Sequence, residues 1–140
     1  MIVKEKYKIF LNWFLVFLWL GVIYYFSNQP SLKSELKPVW DLIFRKLAHL
    51  SEFFVLTYLL YKAYSAQHLK AAPSLFLSLI GAIICAGYDE WHQSFTFGRS
   101  ASLVDVFIDS AGALIFCILQ FFHSKLNPNN LKGNHENQHN

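Results

Sequence analysis

From Ile9 to Phe26 the chain runs for eighteen residues in which Asn12 is the only side chain with a strong demand for hydrogen bonding. A helix over that run is about 27 Å long, close to the thickness of a bilayer's hydrocarbon core. Lys4, Lys6 and Lys8 precede it, as they would a signal peptide, but Tyr24-Tyr25-Phe26-Ser27 offers no small-x-small cleavage pattern, so the run reads as an uncleaved anchor. Three more apolar runs follow, and the expected helices cover about 9–26, 46–64, 73–88 and 103–122. Composition agrees: 54% of the residues are hydrophobic and 15% charged, against about 25% charged in a soluble domain. A chain of 140 residues is too small to hide that much apolar surface inside itself.

The expectation is therefore an all-α integral membrane bundle of four transmembrane helices over residues 1–123, with a disordered polar tail over 124–140 where Asn, His and Lys replace aromatics. Lys4, Lys6, Lys8, Lys62, Lys70, Lys125 and Lys132 fall on one side of such a bundle, against Lys33, Lys37, Arg45, Lys46 and Arg99 on the other. The basic triplet beside the first helix places both termini in the cytoplasm. The net charge of +3 is spread along the chain, so nucleic-acid binding is not expected and the bilayer is the first partner.

Ser74, Ser78, Ala82 and Ala86 recur every fourth residue beside Gly81 and Cys85, and the last run carries Ser110, Gly112, Ala113 and Cys117. Such small-residue faces predict a tight hairpin of the third and fourth helices, leaving Phe76, Phe107, Phe116 and Phe121 available to lipid. Cys85 and Cys117 form no metal spacing, and their different depths predict no disulfide between them.

Ionisable groups inside membrane segments cost several kcal/mol unless paired or hydrated. Here they concentrate in the outer half: Lys46, His49 and Glu52 share one arc of the second helix with Arg45, Asp89, Glu90, His92 and Gln93 close the third, and Asp105 and Asp109 stack one turn apart on the fourth. Three polar faces aimed at one place predict a shared pocket open to the outer surface. His68, His123, His135 and His139 lie toward the inner side or in the tail and read as solvated surface groups.

Lys46-Leu47-Ala48-His49-Leu50-Ser51-Glu52-Phe53, Asp89-Glu90-Trp91-His92-Gln93-Ser94-Phe95, Gly98-Arg99-Ser100, and Asp105 with Asp109 and Gly112 resemble the VanZ-like family of small bacterial membrane proteins. Phe26-Ser27-Asn28-Gln29-Pro30 is similar to the family's motif after the first helix, and the resemblance runs from about Leu18 to Phe122. Phe97 stands where Pro often precedes Gly-Arg, and Asp109 where Asn is frequent, which adds a negative charge to be offset by Lys46 or Arg99. The resemblance implies a multi-pass protein of the bacterial cell membrane and an association with resistance to the glycopeptide teicoplanin.

Within the pocket, His49, Glu52, Asp89, His92, Asp105 and Asp109 are the candidates for acid–base chemistry, with the histidines oriented by carboxylates. Lys46, Glu90, Gln93 and Arg99 are the candidates for binding a ligand, because Arg and Lys at the outer rim suit phosphate or carboxylate. An anionic lipid-linked or cell-wall ligand, held from the outer leaflet, fits charge and depth. The alternative is an integral-membrane hydrolase or transferase acting on such a precursor. His-x-x-Glu and Asp-x-x-His are short, common spacings, so no metal site is expected, and the sequence names no cofactor.

Overall fold

The computed structural model describes residues 2–28, 38–96 and 102–126, and among these it is all-helical with no strand. The helices are α1 (Ile2–Ser27), α2 (Pro38–Ser65), α3 (Ala71–Gln93) and α4 (Leu103–Leu126). Each is longer than its apolar run. α2 begins well before Lys46, α3 persists through Asp89, Glu90 and Gln93, and Ser124, Lys125 and Leu126, expected in the tail, continue α4. Residues 127–140 lie outside the described residues.

Three helices, α1, α3 and α4, are long and apolar enough to cross a membrane. Their outward faces carry Phe10, Phe14 and Phe17, Phe76 and Ile84, and Phe107 and Phe122, all exposed. Against water such a surface would drive aggregation, whereas against lipid tails it costs nothing. α2 has length to span but carries Arg45, Lys46, Glu52 and Lys62. It is the hub of the bundle, packing against α1, α3 and α4, while α1 lies outside the α2–α3–α4 trio and touches chiefly α2.

The core follows helical spacing. Phe53, Leu56, Leu60 and Ala63 of α2 are buried against Val16 and Ile23 of α1, Ala82 and Ala86 of α3, and Ala113 of α4. The small-residue face of α3 is buried as expected, and its hydroxyls bond locally: the Ser78 hydroxyl donates to the Ser74 carbonyl, and the Ser74 hydroxyl to the Leu69 carbonyl just before the helix, at 3.4 Å. On α2 the Thr57 hydroxyl likewise donates to the Phe53 carbonyl at 2.7 Å. α3 and α4 do pack together, with Cys117 Sγ 3.9 Å from the Leu75 carbonyl. The most extensive seat for α4, however, is α2. There Gly112 lies so close that an added Cβ would stand 3.0 Å from the Leu50 carbonyl carbon and 3.2 Å from the Phe54 nitrogen.

Phe116 corrects the expectation that it faces lipid. It is buried, its ring 5.6 Å from Phe54 and 5.9 Å from both Tyr58 and Tyr61. Phe54 and Tyr58 meet the Phe116 ring edge-on, a geometry that suits the ring quadrupoles. Phe76, Phe107 and Phe121 are exposed as expected. Cys85 and Cys117 are free thiols, and Leu75, beside Cys117, is ten residues or about 15 Å of helix away from Cys85.

Candidate polar pocket at one end of the bundle

The antiparallel course of the chain brings the end of α1, the first half of α2, the end of α3 and the start of α4 to one end of the bundle. At the rim, Lys46 Nζ donates to Asp105 Oδ1 at 2.6 Å, joining α2 to α4, with side chains 32% and 40% exposed. One turn deeper on α2 the His49 ring meets two carboxylates: its Nδ1 lies 3.9 Å from Glu52 Oε2 and 3.7 Å from Asp109 Oδ1. The His49–Glu52 approach follows from i,i+3 spacing, and the His49–Asp109 approach from the close crossing at Gly112, one turn beyond Asp109 on α4.

Asp89 reaches the same place from α3. It is buried, and Gln93 Nε2, one turn on, donates to its Oδ2 at 2.6 Å. His49, Asp89 and Asp109 each offer a ligand-type atom within 4.8 Å of the other two. Asp109 is the most buried ionisable group of the three, at 1% exposure, and neither of its carboxylate oxygens accepts a hydrogen bond among the described residues. The charge offset expected from Lys46 does not reach it, because Lys46 is taken by Asp105.

Glu90 and His92 also link neighbouring helices. Glu90 is buried and its Oε1 accepts from the Ser102 backbone N–H. Ser102 in turn accepts the first bond of α4, from Asp105 N at 3.0 Å, so Glu90 ties the start of α4 to the end of α3. His92 places its ring 4.8 Å from that of Tyr24 on α1, with its Nδ1 buried and without a hydrogen-bond partner among the described residues. Arg99 lies outside the described residues, as does Phe97.

The expected site residues thus fall into three groups. Lys46 and Asp105 form the rim. His49, Glu52, Asp89, Gln93 and Asp109 form the interior. Glu90 and His92 brace the surrounding helices. α1 supplies two residues that reasoning from ionisable groups passed over: Trp19 Nε1 donates to the Glu52 carbonyl at 2.9 Å, and Tyr24 covers His92. Both were hidden in a uniformly apolar run. The spacing of Asn12, Val16, Trp19, Ile23 and Ser27, one inward stripe at three- and four-residue steps, is the signal that points Trp19 at α2.

The chemistry open to this arrangement is limited by residue type. A histidine between two carboxylates can hold and pass a proton, carboxylate oxygens can accept hydrogen bonds or bind a cation, and the rim lysine can meet an anion. Comparison with known families adds one finding: the family model described as VanZ/LLP1 matches residues 10–123. Neither the curated proteins nor the solved structures gave a match.

Proposed function

The chain belongs to the VanZ/LLP1 family, and on that premise we propose that it is a four-span protein of the bacterial cell membrane whose pocket takes an anionic lipid-linked or cell-wall precursor from the outer leaflet. α2 would complete the four spans: it has 28 residues, about 42 Å of helix, and three apolar helices surround it. The lysines at 4, 6 and 8 favour cytoplasmic termini, which would put the polar cluster on the outer side. Through this ligand the protein would alter sensitivity to glycopeptides such as teicoplanin.

The observation that carries the reading is Asp109, buried with two oxygens that accept no hydrogen bond among the described residues, beside buried Asp89. Ionic groups of this kind stabilise a fold poorly compared with apolar packing, so their convergence is better accounted for by a ligand. A glycosylated lipid phosphate matches the layout. Its hydroxyls donate to the inward carboxylates while its phosphate meets Lys46 and Arg45, with Arg99 assigned to the same anion from the sequence. The test is binding of a polyprenyl pyrophosphate to the purified protein by native mass spectrometry. One bound lipid per chain, weakened at least about tenfold by Lys46→Met and by His49→Gln in monodisperse protein, supports the reading. No binding by the wild type, or equal binding by both variants, overturns it.

A second reading is favoured by His49, which has Glu52 at 3.9 Å and Asp109 at 3.7 Å. A histidine oriented by carboxylates is suited to activate water against the phosphoanhydride bond of a lipid-linked pyrophosphate, leaving the lipid monophosphate and free phosphate. Phosphate released from the same lipid by wild type and not by His49→Gln would establish an enzyme; binding without turnover would leave the first reading.

A further inference from the structure

We propose that His49, Asp89 and Asp109 form a binding site for one divalent transition-metal ion, of the zinc or manganese class that accepts mixed imidazole and carboxylate ligands. The three residues come from α2, α3 and α4, so no short sequence spacing announces them. Their ligand-type atoms lie within 4.8 Å of one another. A metal bonded at about 2.0–2.2 Å sets its ligand atoms roughly 3–3.5 Å apart, so side-chain movements of about 1 Å close the trio on the ion.

Independent of that proximity, Asp109 is 1% exposed and both its oxygens lack a hydrogen bond among the described residues. A carboxyl so placed takes up a proton or a cation, and a metal ion that displaces the proton would give its oxygens the partner they lack. Lys46 is not that cation, being paired with Asp105 at 2.6 Å. The second layer that metal sites require is also present. For Asp89 it is Gln93, whose Nε2 donates to Oδ2 at 2.6 Å and leaves the other oxygen for the metal. Trp19 braces the backbone at Glu52 from α1, which limits the freedom of the His49 ring's neighbour. The site does not rest on the lipid reading. Where both hold, the metal supplies the positive charge that an acidic interior lacks, against which a phosphate head group can sit.

The experiment uses full-length protein in detergent, stripped with a chelator and titrated by calorimetry with Zn²⁺ and, separately, Mn²⁺. The expected result is saturable binding of one ion per chain for at least one of the two metals. His49→Gln and Asp89→Asn should weaken it at least about a hundredfold, and Gln93→Leu, which removes only the support to Asp89, about tenfold. Each variant is first shown to be monodisperse. If Asp89→Asn does not fold, His49→Gln and Gln93→Leu decide. Absence of stoichiometric binding by the wild type to either metal, or affinities of these variants equal to wild type, overturns the proposal. Binding of polyprenyl pyrophosphate in chelator is measured alongside. Lipid binding with no metal binding refutes the metal site and leaves the functional reading standing; metal binding with no lipid binding, with or without chelator, does the reverse.

Discussion

Replacing Gly112 by alanine tests the crossing that brings His49 and Asp109 together. The new Cβ would stand 3.0 Å from the carbonyl carbon of Leu50 and 3.2 Å from the nitrogen of Phe54, and its nearest neighbour would be the Leu50 carbonyl oxygen. All three are backbone atoms of α2, so no side chain can swing aside. The helices must part by roughly 1 Å, and overpacking of this kind costs about 1 to 3 kcal/mol. For a chain of this size that corresponds to a fall in melting temperature of roughly 3 to 10 °C. Asp109 precedes Gly112 by one turn and His49 immediately precedes Leu50, so the His49–Asp109 approach of 3.7 Å should lengthen with the crossing. Gly87→Ala is the control, because nothing lies within 4 Å of its added Cβ. It should leave stability unchanged or raise it by about 0.5–1 kcal/mol through helix propensity. The assay is thermal unfolding in detergent by circular dichroism, together with lipid binding. If Gly112→Ala melts and binds like the wild type while Gly87→Ala does no worse, the close crossing does not assemble the site.

Lys46→Met should leave the melting temperature nearly unchanged, since an ion pair whose members are 32% and 40% exposed is worth at most about 1 kcal/mol; a loss above about 2 kcal/mol by calorimetry would make the rim a structural strut. Oxidation of the purified protein should produce no Cys85–Cys117 crosslink, because Cys117 lies beside Leu75, about 15 Å along α3 from Cys85; intact mass under non-reducing conditions checks this. In a cysteine-free background, Phe95→Cys should react with an impermeant thiol reagent applied to whole cells and Gln67→Cys should not. Both positions are exposed, at opposite ends of α3, and the reverse pattern would move the pocket to the cytoplasmic side.

The apolar runs disclosed the helices because a membrane segment must be long and continuous, and α1, α3 and α4 answer that requirement directly. Their ends were less legible. α2 starts at Pro38 because a helix propagates past its buried stretch wherever no residue stops it, and polar residues such as Asp41 and Arg45 do not. The meeting of His49, Glu52, Asp89 and Asp109 followed from the cost of isolated charges, and the distances bear out their proximity. The Glu90–Ser102 and His92–Tyr24 contacts did not follow, because a backbone N–H and a tyrosine ring on α1 leave no charge pattern. Phe116 was misassigned for a related reason: an aromatic residue looks alike in sequence whether lipid or Phe54, Tyr58 and Tyr61 surround it.

As proposed, buried Asp109 serves a ligand and not the fold. Thermal unfolding of Asp109→Asn in chelator, without added lipid, tests this most directly. Asparagine keeps the shape and replaces a carboxyl that accepts no hydrogen bond among the described residues. The account predicts a melting temperature equal to or above that of the wild type, because a buried carboxyl whose oxygens accept no hydrogen bond among the described residues gives the fold nothing that asparagine would take away. A fall equivalent to about 3 to 5 kcal/mol, the loss expected from breaking a buried ion pair, would show that Asp109 and His49 hold the bundle together and would contradict the claim.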